Sequence, residues 1–181
     1  MKPRRFSSEG IILRRRNYSE ADRILVIFSK HYGKISIIAK GVRKLKSRKR
    51  GSLEIFSQVE FSAARGKNLD LITEVEMINY FDCLREDLKK VSVAYYFMEV
   101  VQKLTQEGEE NAKLYSLILE TLDDLKTTKL LRKLRYKFVY QILVLLGFWP
   151  EGKEMVDPDK IVMEVVEREL FSVRVGKKLV S

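Results

Sequence analysis

Along the first 80 residues, apolar and polar side chains alternate in short runs that predict β-strands. In the run Lys34–Lys40, the side chains of Ile35, Ile37 and Ala39 fall on one face. A period of two with one apolar face is typical of half-buried antiparallel strands. The other runs occupy residues 10–18, 22–30, 53–63 and 69–77. Five strands so close together predict a closed barrel, because closure removes exposed strand edges. An OB-fold is the first choice and an SH3-like barrel the second.

After Asp82 the apolar residues recur at the three- and four-residue steps of amphipathic helices. Asp82 is predicted to cap the first helix, Gly147 to end the third, and Asp157 to begin a fourth that ends at about residue 170. The apolar positions of the first three helices are Leu84, Leu88, Val91, Tyr95, Met98 and Val101, then Leu114, Leu117, Ile118, Leu122 and Leu125, then Leu130, Leu131, Leu134, Phe138, Ile142, Leu145 and Leu146. The predicted fold class is therefore α+β, with a five-stranded OB-fold at residues 1–80 and an all-α helical domain at residues 81–181.

The net charge of +10 is placed entirely in the predicted barrel. Residues 1–81 hold 18 Lys and Arg against 8 Asp and Glu, whereas residues 82–181 hold 17 of each. A charge asymmetry of this kind points to a polyanionic partner for the basic part, with nucleic acid the first choice and anionic lipid the second.

The densest positive charge lies between two predicted strands, in the stretch AKGVRKLKSRKRGSLEIF. Six of the eight positions from 43 to 50 are Lys or Arg, and no acid interrupts them. Gly41 and Gly51 bracket this basic run and allow it to swing onto a ligand, so we expect it to be unordered before a ligand binds. A solvated loop is the alternative explanation of such a run. Its position between strands and the charge of the whole barrel favour nucleic-acid binding.

Other basic residues can converge with this run on one side of a small barrel. On a strand, Arg14 and Arg16 share one face and Arg15 points to the other. A groove lined by cations follows phosphates, and aromatic side chains beside it let bases stack. Available aromatics are Tyr18, Tyr32 and Phe56. Packing in the core or at its rim is the alternative for all three, and it is favoured for Phe56. The predicted DNA-binding residues are Arg14, Arg16, Arg23, Lys34, Lys40, Arg43, Lys44, Lys46, Arg48, Lys49 and Arg50.

Enzyme and metal signatures are missing from the sequence. The only histidine is His31 and the only cysteine is Cys83, whereas a zinc site needs about four such ligands. The P-loop, dinucleotide-binding and nucleophile-elbow patterns are also missing. We therefore expect no catalytic residue, no metal and no cofactor.

Cellular location is indicated by what the sequence contains and lacks. One cysteine cannot form an internal disulfide, which favours a reducing, cytoplasmic location. No apolar run reaches the roughly 18 residues of a membrane span, and the N-terminus is not a secretory signal. A membrane-surface role for the basic run is weak, because Leu45 is the only apolar anchor in residues 43–50.

Seven short segments stand out along roughly 150 residues of the sequence. They are Gly10–Leu13, Tyr18–Leu25, Tyr32–Lys34, Ala39–Lys44, Ser47–Glu54, Leu84–Leu88 and Leu145–Pro150. Each segment alone is not specific, but together their order and spacing closely resemble the RecO family of bacterial DNA-repair and recombination-mediator proteins. The resemblance is densest from residue 10 to residue 56.

The resemblance implies an N-terminal OB-fold followed by a helical domain. It implies binding to single- and double-stranded DNA and annealing of complementary strands. It also implies help in loading the recombinase RecA onto DNA coated by single-strand-binding protein (SSB), with RecR as a partner. Many members carry a four-cysteine zinc motif soon after the segment that matches LLGFWP. Residues 151–181 contain no cysteine, so we expect a short form without this motif.

A different class of function is a protein-interaction adaptor. The helical domain has no net charge, and it could dock a partner helix or an acidic peptide tail, such as that of SSB. The candidate partner-binding residues lie on the third helical segment, beside Leu130, Leu131, Leu134 and Phe138. They are Lys129, Arg132, Lys133, Arg135 and Lys137. A core stripe with a solvated basic edge is the alternative explanation.

Overall fold

A computed structural model describes residues 4–44 and 51–167. Five strands form a closed barrel in the order β1-β2-β3-β5-β4, which confirms the predicted OB-fold followed by helices. The strands are β1 (Arg5–Asn17), β2 (Arg23–Ser29), β3 (Gly33–Ala39), β4 (Gln58–Ala64) and β5 (Asp70–Asn79). Strands β3 and β5 pair in parallel and close the ring, while the other pairs are antiparallel.

Strand β1 is the longest strand and joins both halves of the barrel. Its first half pairs with β4 and its second half pairs with β2. The register with β2 shifts between Ile12 and Arg14, so Leu13 is the additional residue of a β-bulge. Ordinary alternation points Ile12 into the barrel and Ile11 and Leu13 toward the helices. The bulge then places Arg14, opposite Val26, on the same outer side as Leu13.

Two hydrophobic cores follow from this arrangement of β1. One fills the barrel and contains Ile12, Leu25, Ile37 and Phe61. The other lies between the outer surface of the barrel and the helices, and β2 contributes Phe28 to it. Residues on both faces of these strands are buried because the helices pack directly on the barrel.

Helical structure follows the barrel as predicted, but its start differs from the prediction. The helices are α1 (Asp82–Arg85), α2 (Leu88–Leu104), α3 (Ala112–Thr127) and α4 (Leu131–Leu145), and a further helical segment begins at residue 158 and is described to residue 167. Asp82 is not a cap, because the capping position of α1 is Phe81. The side chain of Asp87 instead caps α2 by accepting from Lys89 N and Lys90 N. Leu88 is 85% exposed rather than part of the buried stripe.

The predicted end of one helix at Gly147 and the predicted start of the last helix at Asp157 agree with the structure. The predicted end of the last helix near residue 170 lies outside the described residues. Gly147 has a φ of 77° just after α4, where the left-handed conformation favours glycine. The backbone N–H of Phe148 donates to Leu143 O at 2.8 Å and satisfies a carbonyl at the helix end. Asp157 Oδ1 accepts from Lys160 N at 3.1 Å and caps the last helical segment.

Arg85 joins the barrel to the helices. Its guanidinium carbon lies 4.0 Å from the ring centre of Phe56 and 3.9 Å from that of Tyr80. The guanidinium donates to Tyr80 O at 2.9 Å, Ile55 O at 3.0 Å and Ser57 Oγ at 2.9 Å. Burial lowers the pKa of Arg85 below its ordinary value. Nearby groups, first of all Tyr80, raise it and offset part of this effect. This set of contacts fixes the segment before β4 against the first turn of the helical domain.

Candidate nucleic-acid interface

One end of the barrel brings together the end of β1, the start of β2 and the end of β3. In the strand register, Asn17 lies opposite Arg23, and Arg23 lies opposite Ala39. The β1–β2 loop and the chain that leaves β3 therefore emerge side by side. We call this region, with residues 14–23 and 40–44, the basic end of the barrel.

The start of the basic run is held against the β1–β2 loop. Arg43 N donates to Ala21 O at 2.9 Å, and the Arg43 guanidinium donates to Ser19 O at 2.9 Å. Asp22 Oδ1 accepts from Gly41 N at 2.8 Å, and Gly41 has a φ of 67°. Val42 between them is fully buried in the barrel core. These contacts anchor the first residues of the run in a turn with Arg43 and Lys44 exposed.

The arginines of β1 divide between two faces as the alternation predicts. Arg14 lies opposite Val26 and Arg16 opposite Ile24, while Arg15 lies opposite Leu25 of the barrel core. Directly opposite residues share a face of the sheet. Arg14 and Arg16 are therefore on the outer face, and both are exposed.

A carboxylate that follows the basic run neutralises two of the arginines. Glu54 Oε1 lies 2.5 Å from Arg15 Nη1 and 3.7 Å from Arg23 Nη1. All three side chains are at most 30% exposed, so the pairing is screened less than a surface ion pair. Sequence reasoning missed this role of Glu54, although it is the first acid after the run.

Replacement of Glu54 by Gln tests whether the carboxylate competes with DNA phosphates for these arginines. We expect Glu54→Gln to strengthen binding of single-stranded DNA several-fold, because the variant removes the negative charge that Glu54 places beside Arg15 and Arg23. Each additional phosphate that the variant neutralises also steepens the log–log salt dependence by about 0.7. A salt titration of both proteins measures the two effects. Unchanged affinity and slope would show that these arginines do not reach DNA.

Five of the predicted DNA-binding residues are exposed at the basic end. Within residues 4–44 and 51–167, none of the five takes part in an ion pair. The five are Arg14, Arg16, Lys40, Arg43 and Lys44. Lys46, Arg48, Lys49 and Arg50, and with them most of the run whose order was predicted to depend on a ligand, lie outside the described residues.

Lys34 has a different position from the other predicted residues. Its ammonium donates to Gln102 O at 2.7 Å and also to Thr105 O, at the C-terminal end of α2. A cation there complements the negative end of the helix dipole. The structure therefore places Lys34 between barrel and helix, and we leave it out of the interface.

The three candidate aromatics also separate in the structure. Tyr18 is 60% exposed at the basic end, where a base can reach its ring. Tyr32 packs edge-on against Phe6 with ring centres 4.7 Å apart. Phe56 is fully buried beneath Arg85, which agrees with its suitability for the core. Of the three, Tyr18 alone is presented beside the exposed cations.

The predicted partner-binding residues lie on α4 and just before its start, and two of them have acidic partners. Arg135 pairs with Asp159 of the last helical segment and lies over the ring of Tyr96 at 4.0 Å. Lys137 Nζ lies 3.2 Å from Asp124 Oδ2 of α3. Lys129, Arg132 and Lys133 are exposed. Arg135 and Lys137 therefore connect helices, and Lys129, Arg132 and Lys133 remain available at the surface.

The contacts around Asp159 hold the last helical segment against α2 and α4. Tyr96 Oη donates to Asp159 Oδ1 at 2.5 Å. Burial raises the pKa of Tyr96 to about 12, and the hydrogen bond to Asp159 adds to this shift. Burial would raise the pKa of Asp159, but hydrogen bonds from Tyr96 and Arg135 hold it below its ordinary value.

Neither a metal-binding group nor a membrane span is found in the part of the chain that the structure describes. Among residues 4–44 and 51–167, no three His, Cys, Asp or Glu side chains form a group that could hold a metal ion. No helix in those ranges is long and apolar enough to span a membrane. Cys83 is exposed, and it forms no disulfide with any of the described residues.

Models of a known protein family match the sequences of both the barrel and the helices. The family model "Recombination protein O N terminal" matches residues 1–81, and "Recombination protein O C terminal" matches residues 85–160. The chain is 37% identical over 145 residues to the DNA repair protein RecO of Pelotomaculum thermopropionicum, a match that covers 80% of this chain and 56% of the relative. It is 32% identical over 168 residues to the DNA repair protein RecO of a Roseiflexus species, with 93% and 59% covered.

A third relative, the DNA repair protein RecO of Alkaliphilus metalliredigens, is 41% identical over 119 residues, which are 66% of this chain and 48% of the relative. The chain thus spans about half to three fifths of the length of the relatives it matches. Its barrel and its helices each match a part of the same family, and the matches run in chain order. The chain belongs to the recombination protein O (RecO) family of DNA repair proteins.

Proposed function

We propose that this protein binds single- and double-stranded DNA through the basic end of its barrel and anneals complementary strands. The observation that carries the proposal is the group of five exposed cations that converge there with Tyr18. They come from β1 and from the chain that leaves β3. Among the residues that the structure describes, Glu54 pairs with Arg15 and Arg23 and with none of these five cations. Membership of a family of DNA repair proteins supports DNA as the polyanion.

The mechanism we propose is electrostatic and needs no catalytic residue. Cations at the basic end neutralise phosphates of two strands, lower the repulsion between them and let their bases pair. Phosphate contacts carry no sequence information, so binding is independent of sequence. The protein therefore acts as a mediator of DNA repair and recombination in the cytoplasm, and not as an enzyme.

We further propose the partners that the family resemblance implies. These are RecR and SSB, with RecA reached indirectly when the mediator helps to load it onto SSB-coated single strands. The support for these partners is the family membership of the chain. Direct mixing of the purified proteins tests each partner separately.

The most informative experiment measures single-stranded DNA binding and strand annealing by the purified protein across a salt series. With about six phosphate contacts on single-stranded DNA, we expect log affinity to fall against log salt with a slope near −4. Annealing of two complementary oligonucleotides should accelerate in the same salt range. A slope near zero, or annealing no faster than without protein, would overturn the proposal.

A second candidate function is an adaptor that docks an acidic peptide tail on the helical domain. A cavity of about 520 Å³ opens between the end of α3 and the start of α4. Leu130, which is 63% exposed, and Lys133 line it, together with the stacked rings of Tyr136 and Tyr140. An apolar surface bordered by lysine suits a tail with both acidic and apolar residues.

Pull-down with SSB, with and without its acidic tail, separates this function from DNA binding. If the tail docks here, its removal abolishes capture, and Lys133→Glu weakens capture of intact SSB. Capture that survives removal of the tail would contradict the adaptor function.

A further inference from the structure

A groove between the barrel and α2 lies next to the basic end. Its volume is about 730 Å³, within the range of about 300–1,000 Å³ that is typical of sites for small ligands. Leu13 and Arg14 of β1 form one wall, and residues along the length of α2 form the other. The residues of the α2 wall are Ser92, Tyr95, Tyr96, Glu99, Gln102 and Lys103. Arg14 therefore belongs both to the groove and to the basic end.

Tyr95 presents an aromatic ring in this groove. It is 42% exposed, although it lies within a helix that packs against the barrel. Its ring contacts the buried Phe56 edge-on, with ring centres 5.7 Å apart. That contact holds the ring in place, so that a base can stack on it at little cost in side-chain entropy.

The charges that line the groove suit a phosphate chain. Arg14 is exposed and, within the described residues, is not part of an ion pair. The acid of the groove, Glu99, lies 2.6 Å from Lys103 Nζ and is neutralised by it. Ser92 and Gln102 add neutral hydrogen-bonding groups to the lining.

We propose that a single strand of DNA continues from the basic end into this groove, with Arg14 on a phosphate and one base stacked on Tyr95. This inference rests on the proposed function, because the strand must first bind the basic end. An unpaired base can stack on an exposed ring, whereas a base within a duplex is already stacked on its neighbours. The groove therefore adds affinity for single strands and little for duplexes.

The test compares an oligothymidylate with an abasic oligonucleotide of the same length, at fixed salt. Replacement of Tyr95 by Ala should weaken binding of the oligothymidylate roughly tenfold, since stacking on an aromatic side chain contributes on this scale. Binding of the abasic strand should not change. Tyr95→Phe retains the ring and should bind like the wild type. Arg14→Gln should instead make the salt slope shallower by about 0.7 for both strands.

The control is Leu88→Ala, which removes an exposed apolar side chain from the same helix outside the groove. It should leave binding of both strands unchanged. If the wild type fails to bind the oligothymidylate, the proposed function itself is wrong. If the wild type binds and Tyr95→Ala binds equally well, only the groove is wrong. Equal losses on both strands would overturn stacking on Tyr95.

Discussion

Replacing Arg43, Lys44, Lys46, Arg48, Lys49 and Arg50 together by alanine is expected to weaken binding of single-stranded DNA about 100-fold at low salt. Every phosphate that the variant no longer neutralises makes the log–log salt slope shallower by about 0.7. A slope near −4 should therefore become markedly shallower, and the part that remains is due to Arg14, Arg16 and Lys40, which the variant retains. The reason is that each phosphate neutralised by a Lys or Arg releases counterions from the DNA, and this release favours binding. Fluorescence anisotropy of a labelled oligonucleotide, measured from low to high salt, gives both quantities.

A loss of net charge alone must be separated from the loss of this particular surface. The control variant replaces exposed lysines of the helical part by alanine, namely Lys89, Lys113, Lys153 and Lys160. It should retain most of the affinity and the slope of the wild type. If both variants lose slope in proportion to the charges removed, binding depends on overall charge and the basic end is not the interface. An unchanged slope in the sixfold variant would exclude the basic run.

The second large effect concerns stability. Arg85→Ala is expected to lower the free energy of unfolding by about 3 kcal/mol, because it removes three hydrogen bonds and two cation–π contacts at once. The carbonyl oxygens of Ile55 and Tyr80 lose the guanidinium that they share. Ser57, which is fully buried, loses a donor to its hydroxyl as well. Urea denaturation followed by circular dichroism measures the loss.

One further variant shows whether the geometry of Arg85 or only its charge matters, and a second provides a comparison at another cation–π contact. Arg85→Lys keeps the positive charge, but its ammonium lacks the planar fork with which the guanidinium donates to three acceptors at once. This variant should therefore lose less stability than Arg85→Ala but remain less stable than the wild type. Lys126→Ala removes the ammonium that lies 4.8 Å from the ring of Phe81, and should cost less than about 1 kcal/mol. A change below about 1 kcal/mol for Arg85→Ala would mean that the joint between barrel and helices does not depend on this residue.

Strands β3 and β4 were predictable because one face of each lies in the barrel core, which imposes a period of two. Strands β1 and β2 bury residues of both faces and show the period less clearly. Strand β3 shows this most clearly, with Ile37 and Ala39 buried where the alternation predicts. The face of each arginine in β1 followed from the same rule. Residues 53–57 were an exception, since alternation extended through them but Phe56 has a φ of 56° and interrupts the strand.

The start of the helices was predicted less well. The spacing of Leu84 and Leu88 suits one continuous helix, yet the chain forms a single turn and begins again after Asp87. The spacing of apolar residues cannot show such a break. The side chain of Asp87 offers acceptors to the backbone N–H groups of Lys89 and Lys90, so the long helix begins there. Leu88 then falls in the first turn, on a side that none of the described residues covers.

The candidate site, like the fold, was predicted from the sequence only in part. Sequence reasoning identified the cations and, through alternation, the common face of Arg14 and Arg16. It did not identify Glu54 as the partner of Arg15 and Arg23, nor the helix end as the partner of Lys34. These partners are far apart along the chain, and local patterns contain no information on them. Tyr95 was assigned to the apolar stripe of its helix because local spacing does not show which residues other elements cover. In the structure 42% of Tyr95 is exposed.

By itself, the sequence determined the class of fold, the barrel strands and the concentration of positive charge in residues 1–81. These properties depend on composition and on short-range periodicity, because a half-buried strand and an amphipathic helix each impose a local repeat. Only the tertiary structure decided which cations are neutralised inside the molecule and which face solvent at the basic end. A cation's partner is set by distances in space, which depend on barrel closure, on the bulge at Leu13 and on the packing of α2 against β1.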